Sequence, residues 1–455
     1  MDKSNQHRVP TLARDEAFKL WHQGVEAWNS WVEMNPKYNI DFSNLNFIPI
    51  KKNPHNNEEY IPFDGFRFPE GNVNFKGAKF RGGFVTFSGV NFDNTSVDFS
   101  RAIFDCIRVS FVGTKFGRAA HFGAIDFNDT SVDFRDAKFF GNIAHFTSAK
   151  FGKGFVHFGN TDFGNANVDF RSAQFGEGNT YFDSTDFSKA TLNFKNAKFA
   201  GGDIGFIKTK FPTENLSFEL IDCKGCFIVS DVNKKGAISF KGASFYNIVS
   251  FERFTLDTVL DLVGTKLSHQ LSLHGFSCRL RRNRDWRNLW FKIACDTEDI
   301  ARLNRLKELA ENNKHHALAL RLHADEHRAQ RWNTIGLFGS FIDIIFSAVC
   351  NYGQSIKRPF LIWLATIPMF AFFYAKLSEA FELTCASVSE VLILSATNSL
   401  PFITSSKAMR EIILTRLFDM EVQLNYLSLI VMSQGIVSVI FIFLIGLGLR
   451  NRFRL

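Results

Sequence analysis

The chain has 455 residues, which is enough for more than one domain, and 54 of these residues are Phe. The formal net charge is +8, and the seven Cys follow no even framework, which excludes a small disulfide-stapled fold. Because residues 1–14 are polar and charged, the sequence indicates no secretory signal, and we expect reduced thiols in a cytoplasmic setting. No P-loop, G-x-S-x-G or kinase signature occurs, so we expect neither enzymatic activity nor a cofactor.

The first predicted element is a helix over 11–34, within an N-terminal segment of residues 1–40. Phe18, Trp21, Val25 and Trp28 follow a three-four spacing, which places apolar and aromatic side chains on one helix face. Pro36 ends the helix. Because a repeat domain must cover its open ends, we expect this helix to cap the domain that follows. A partner-binding helix is the alternative.

Residues 41–278 are predicted to form a repeat domain. Phe63 to Phe218 recur at intervals that alternate between five and seven residues, and from Phe240 to Cys278 the rhythm continues with intervals of five and six, where Leu replaces most Phe. Neither an amphipathic helix nor a hairpin sheet gives this rhythm, whereas a coil with flat faces and tight corners does. A small residue lies three positions after the Phe that opens each five-residue interval. From 149 to 209 this position alternates between Ala and Thr, which predicts that one turn contains two repeats, or 24 residues, and has four faces.

The Phe series is expected to point inward, because only burial explains so many large apolar residues in a fixed register. Each ring then stacks on a ring one turn away. Nine coils over 63–278, rising about 4.8 Å each, predict a rod on the order of 40 Å long. The predicted core stack comprises Phe75, Phe87, Phe99, Phe134, Phe146, Phe158, Phe163, Phe170, Phe182 and Phe194.

The twelve-residue motif, F-x-x-A-x-F as in FRDAKF at 134–139, resembles the Phe-rich variant of the bacterial pentapeptide-repeat family. The segment from Gly24 to Trp31 is similar to the leader before many bacterial members. The resemblance covers about half of the chain and implies a right-handed quadrilateral β-helix. Some members are DNA mimics that bind topoisomerase, but residues 63–241 hold 22 Lys or Arg against 19 Asp or Glu, which disfavours an acidic mimic.

Residues 279–350 are predicted to form a helical linker. Basic residues exceed acidic ones there, and the segment 279–284 is the most basic in the chain. No aromatic platform or DNA-reading motif accompanies it, so nucleic acid is not an expected partner. A basic stretch before a membrane span more often faces anionic lipid or solvent. Residues 335–350 are expected to form an interfacial helix, and a third span is left open.

Two short motifs are of the kind that binds metal. Cys223 and Cys226 form a single C-x-x-C, but no second pair completes a zinc site, and Cys223 falls on an inward position of the repeat. His323, Glu326 and His327 fit H-x-x-E-H, but no protease domain surrounds them. We therefore expect a structural role for both motifs and no bound metal.

Residues 351–455 are predicted to be a membrane domain with two spans, at about 359–375 and 427–449. Neither span carries a charge, and both reach the length that a bilayer requires. The loop 376–426 holds four Lys or Arg against six Asp or Glu, whereas basic residues flank the outer ends of the spans. The positive-inside rule then places both termini in the cytoplasm, and membrane lipid is an expected partner.

Residues 389–404 are too short and polar to span and suit a re-entrant half helix. The order of span, re-entrant segment and span, with NYGQS at 351–355 and NSLPF at 398–402, resembles bacterial pentapeptide-repeat proteins that have an ion-channel-like C-terminal region. That resemblance implies the bacterial inner membrane. No T-V-G-Y-G filter occurs, so potassium selectivity has no support in the sequence.

Four polar residues lie in or beside the apolar segments: Asn398, Ser399, Gln434 and Ser438. They are expected either to pack the helix bundle by hydrogen bonds or to line a water-filled path. Two functions follow. In the first, the β-helix is a cytoplasmic scaffold or sensor arm, tethered to the membrane, that binds a protein the sequence does not identify. In the second, the chain is a channel or pore-forming effector, gated by this arm and built as a homo-oligomer through the membrane domain.

Overall fold

The structure is a computed structural model that describes residues 9–53, 57–284, 292–378, 384–400, 402–418 and 424–453. Two compact units divide the chain. The first unit reaches to Asn283 and also includes Cys295–His315, and the second comprises Arg284–Ala294 and His316–Leu455.

The first unit is a β-solenoid of about 11 turns with parallel strands, which confirms the predicted fold class. Each turn contributes to four faces, which we name A, B, C and D in the order in which the chain visits them. The solenoid has more turns than the nine expected, because its first strands precede Phe63.

The strands of face A are Thr11–Leu12, Asn39–Asp41, Asn72–Asn74, Ser96–Asp98, Ala119–His121, Ile143–His145, Asn167–Asp169, Thr191–Asn193, Leu216–Ser217 and Ile238–Ser239. The strands of face B are Asn46–Phe47, Lys79–Arg81, Ile103–Asp105, Lys150–Phe151, Gln174–Phe175, Lys198–Phe199, Asp222–Cys223, Ser244–Phe245 and Lys266–Leu267. The strands of face C are Lys51–Lys52, Glu59–Pro62, Phe84–Thr86, Arg108–Ser110, Ser131–Asp133, Val156–His157, Thr180–Tyr181, Ile204–Ile207, Phe227–Lys234, Val249–Leu256 and Leu271–Ser272. The strands of face D are Asn91–Phe92, Lys115–Phe116 and Lys138–Phe139.

The strand register sets the length of a turn. Val132 pairs with Val156 on face C, and Phe151 pairs with Phe175 on face B, so a regular turn takes the 24 residues that separate partners such as Asn179 and Asp203. Near the C-terminal end Val249 pairs with Leu271, which gives a shorter turn. The shortening coincides with the change in the sequence from a five-seven rhythm to a five-six rhythm.

Stacked Phe rings fill the interior. The rings of Phe134 and Phe158 lie 4.9 Å apart and within 2° of parallel, and the ring of Phe182 continues the column at 5.0 Å. Rings of the adjacent column meet them edge-on, as Phe146 meets Phe158 at 5.7 Å and 89°. Offset stacks and edge-to-face pairs are the favourable aromatic geometries. All ten Phe of the predicted core stack are 0% exposed.

Buried Thr side chains connect successive turns. The hydroxyls of Thr161, Thr185 and Thr209 each donate a hydrogen bond of 2.7 Å to a Phe carbonyl oxygen of the preceding turn. These Thr residues occupy the small position of the twelve-residue repeat, which other repeats fill with Ala. A hydroxyl at this position is therefore both small enough for the corner and bonded in the interior.

Two short helices cover the first turn, α1 (Arg14–His22) and α2 (Val25–Met34). The indole of Trp21 stacks on Phe63 at 5.4 Å, and that of Trp28 stacks on Phe42 at 5.6 Å. The expectation of one helix over 11–34 is wrong, because Thr11–Leu12 is a strand of face A and Gly24, at φ 95°, separates α1 from α2.

A third helix, α3 (Asp299–Asn312), packs on the last turns of the solenoid. Leu303, Leu306 and Leu309 are buried, and the Arg305 guanidinium donates to the carbonyl oxygen of Thr265 at 2.9 Å. The segment predicted as a helical linker is not helical throughout, because it contains the strands Arg282–Arg284 and Lys292–Ala294.

The second unit contains the helices α4 (His316–Gln330), α5 (Leu337–Cys350), α6 (Lys357–Leu377), α7 (Cys385–Asn398), α8 (Thr404–Leu417) and α9 (Leu424–Phe453). Of the described helices, α6 and α9 are long and apolar enough to cross a membrane, and they contain the two predicted spans. Helix α5 has 14 residues, fewer than the roughly 20 that a span requires. The predicted re-entrant segment 389–404 begins within α7 and reaches the first residue of α8, and Pro401 lies outside the described residues.

Candidate functional site

A buried polar network lies between α6, α7 and α9, and three of the four residues singled out from the sequence belong to it. Asn398 is at the C-terminal end of α7, Ser399 follows it, and Gln434 is in α9. Gln434 and Ser399 are 0% exposed and Asn398 is 2% exposed. Ser438, one turn beyond Gln434, is also buried, but its hydroxyl has no hydrogen-bond partner within the described part of the chain.

The carboxamide of Gln434 is the centre of this network. Its Nε2 donates to the Ser395 hydroxyl at 2.7 Å, to the Ser395 carbonyl oxygen at 2.9 Å and to the Ser399 hydroxyl at 2.9 Å. Its Oε1 accepts from the Tyr374 hydroxyl at 2.7 Å and from Asn398 Nδ2 at 3.1 Å. Both ends of the amide are therefore satisfied within one chain.

Asn398 extends the network in two directions. Its Nδ2 also donates to the carbonyl oxygen of Val431 in α9 at 2.9 Å. Its Oδ1 accepts from the Arg410 guanidinium of α8 at 3.0 Å. One carboxamide thus connects α7 to both α8 and α9.

Three members of the network were not identified from the sequence: Tyr374, Ser395 and Arg410. Tyr374 sits in a run of aromatic residues, and nothing in that run distinguishes the side chain that turns inward. The polar residues in the predicted re-entrant segment and on one face of the second span identified the α7 and α9 sides of the network, whereas no signal identified its α6 and α8 sides. The surrounding side chains are apolar, and they include Phe370, Leu394 and Ile413.

This network can stabilise helix packing. Between apolar helices a hydrogen bond of this kind contributes on the order of 1 kcal/mol, and an unmade one costs more. In the described structure the donors and acceptors of Gln434 form hydrogen bonds with groups of α6 and α7 in the same chain, rather than facing a shared opening. A pore lined by this face would require several copies of the chain.

A second polar cluster surrounds the turn 351–354, where Asn351, Tyr352 and Gly353 all have positive φ. The Tyr352 hydroxyl donates to Asp343 of α5 at 2.9 Å, and Arg331 at the end of α4 donates to the same carboxylate at 2.7 Å. Asn451 Nδ2 of α9 donates to the carbonyl oxygen of Gly353 at 3.1 Å. The turn therefore joins α4 and α5 to the C-terminal end of α9.

On the solenoid, face C carries outward aromatic side chains. The Arg108 guanidinium lies 4.6 Å above the Phe84 ring, and the rings of His157 and Tyr181 stack at 4.8 Å. Phe155 on the same face is 52% exposed. These residue types dominate the energetics of protein–protein interfaces.

In the part of the chain that the structure describes, no three His, Cys, Asp or Glu side chains are grouped as a metal ion requires, and this holds for both motifs singled out from the sequence. Cys223 is fully buried between Phe199 and Phe245 in the strand register, and burial raises the pKa of its thiol to about 12. The ring of His327 stacks on Tyr352 at 5.5 Å, and Glu326 is mostly buried.

No family model matches the chain, and no curated protein or solved structure is significantly similar to it.

Proposed function

We propose that this chain is a membrane-tethered binding protein whose β-solenoid presents face C to a protein partner. The observation that carries this proposal is that one chain contains a solenoid with a filled interior and two helices long and apolar enough to cross a membrane. A filled interior leaves the outer faces as the part of the solenoid that can recognise another molecule.

Face C is the face we assign to the partner. Phe155 and Ile248 are 52% and 50% exposed there, and the exposed Arg108 lies over the half-buried Phe84 ring as a cation–π pair. Solvated apolar and aromatic side chains gain free energy when a partner covers them. Face A, on the opposite side of each turn, presents Asn, Asp, Ser and Thr instead, as at Ser96, Asp98 and Thr191.

In this proposal α6 and α9 span a bacterial inner membrane and both termini are cytoplasmic. The basic residues at the outer ends of the spans favour this orientation. No disulfide joins any of the seven cysteines, all of which lie among the described residues, and this is the state expected in a reducing compartment. Helix α5 would lie in the membrane interface, since Leu337, Phe338 and Ile345 are exposed while Asp343 pairs with Arg331 on the protein side.

The proposal is tested by proximity cross-linking of the full chain in its native membrane. Phe155→Glu and Arg108→Glu should each remove the cross-linked protein partner, because they place a carboxylate on face C without entering the core. Thr191→Glu on face A is the matched control and should leave the partner in place. Equal cross-linking of all three variants would exclude face C, and recovery of the chain in the soluble fraction would exclude the tether.

The second candidate is a pore, and the polar network between α6, α7 and α9 is the observation that favours it. Lipid-facing helices rarely contain so many amides and hydroxyls without a functional reason. Liposomes that contain the full chain would then conduct ions, and Gln434→Leu and Asn398→Leu would both change the conductance. If the wild-type protein inserts into the liposomes as an oligomer but conducts no ions, the network has a packing role alone.

A further inference from the structure

An open apolar cavity of about 340 Å³ lies between α6 and α7. Its walls include Pro368, Ala371, Phe372 and Ala375 of α6, and Val388 and Val391 of α7. Ala371 and Ala375 are one helical turn apart, so two small side chains leave space on the same face. The volume lies at the lower end of the range for ligand sites.

A single cation marks one end of this cavity. Lys376 belongs to the lining, and its Nζ lies 5.2 Å from the centre of the Phe372 ring. Among the described residues no carboxylate lies within 4 Å of this ammonium. The cavity therefore combines an apolar wall with one positive charge at the C-terminal end of α6, where a span meets the headgroup region.

We propose that this cavity binds a phospholipid, with one acyl chain against Ala371 and Val388 and the phosphate on Lys376. The inference depends on the proposed membrane location of α6. An acyl chain matches the apolar walls, and a phosphate matches the cation. A second copy of the chain is a poorer occupant, because an apolar helix face laid over the cavity would bury the Lys376 ammonium without a partner.

The test uses full-length protein extracted from membranes and washed in detergent, with bound phospholipid counted per chain by native mass spectrometry. Wild-type protein should retain one phospholipid after the wash that strips annular lipid. Ala371→Phe fills the cavity and should abolish retention. Ala365→Phe, at an exposed position of the same helix, is the matched control and should retain the lipid.

Lys376→Gln separates headgroup recognition from the apolar contact. Loss of one interfacial charge is expected to weaken retention about five-fold in a titration with phosphatidylglycerol nanodiscs. If Ala371→Phe retains as much lipid as wild type, or if it converts a dimer to a monomer without changing lipid content, the inference is wrong. Carbonate extraction of the same membranes distinguishes failure of this inference from failure of the proposed membrane tether. A chain that resists extraction but retains no phospholipid is still anchored in the membrane and lacks only the lipid site.

Discussion

Lys234 provides the sharpest test of the energetics of the solenoid. It lies at an inward position of face C, paired with Leu256 of the next turn, and its side chain is 0% exposed. Its Nζ donates to the carbonyl oxygen of Glu214 at 2.7 Å and to that of Lys235. A regular turn carries Phe at inward positions, so a cation here is an exception.

Burial lowers the pKa of Lys234 to about 8 from 10.5, with nearby Asp257 opposing this shift and Arg281 adding to it. A shift of this size corresponds to a penalty of roughly 3 kcal/mol for the charged form in the folded state. Below about pH 8 Lys234 is charged in both the folded and the unfolded chain, so the full penalty applies. Between about pH 8 and 10.5 the unfolded chain binds more protons than the folded chain, so the free energy of unfolding rises with pH.

Lys234→Met removes the penalty and also the two hydrogen bonds, each contributing about 1 kcal/mol. We therefore expect the variant to be more stable than wild type by about 1 kcal/mol at pH 7. Above about pH 10.5 the penalty is gone and only the loss of the two hydrogen bonds remains, so the variant should there be less stable than wild type by about 2 kcal/mol. The assay is urea unfolding of the full chain in detergent, followed by the far-ultraviolet signal of the solenoid. Lys235→Met, at an exposed neighbour, should change nothing. A variant that is less stable at pH 7, or a gap that is constant with pH, would refute the argument.

Three further predictions concern the turns of the solenoid and the topology. Thr185→Val leaves the Phe158 carbonyl oxygen without its donor and should lower the free energy of unfolding by about 1–3 kcal/mol in the same assay. Phe163→Asp places a carboxylate in the stacked core and should unfold the neighbouring turns, so an unchanged far-ultraviolet spectrum would contradict the packing. Reporter fusions near Lys407 and after the last residue should lie on opposite sides of the membrane, and a common side would exclude two spans.

The solenoid could be predicted because its information is local and repeated. An interval of five or seven between Phe residues recurs in most turns, so an error in one turn is corrected by the next. The cap was harder, since Phe18 and Trp28 keep a helical spacing across Gly24 although the chain breaks there. The spacing of apolar residues does not reveal that a helix is broken at one glycine when the side chains before and after the break stay on the same apolar face.

The parts that the sequence left unpredicted depend on contacts between distant segments. Helix α3 has no repeat signature, and only its buried leucines show that it covers the last turns. In the buried network, Gln434 was found because an amide is unusual in an apolar helix, whereas Tyr374 is ordinary in an aromatic one. A residue can be selected by composition only when it differs from its neighbours.

The two units satisfy buried polar groups in opposite ways, and this difference predicts where variation is tolerated. In the solenoid, many backbone groups bond to an adjacent turn, so an outward residue such as Phe155 can change without disturbing more than its neighbours. In the second unit, the single carboxamide of Gln434 holds groups from α6 and α7. A substitution there removes contacts with two helices at once. Under the proposed function, partner specificity can therefore diverge on face C while the contacts of the helical unit stay fixed.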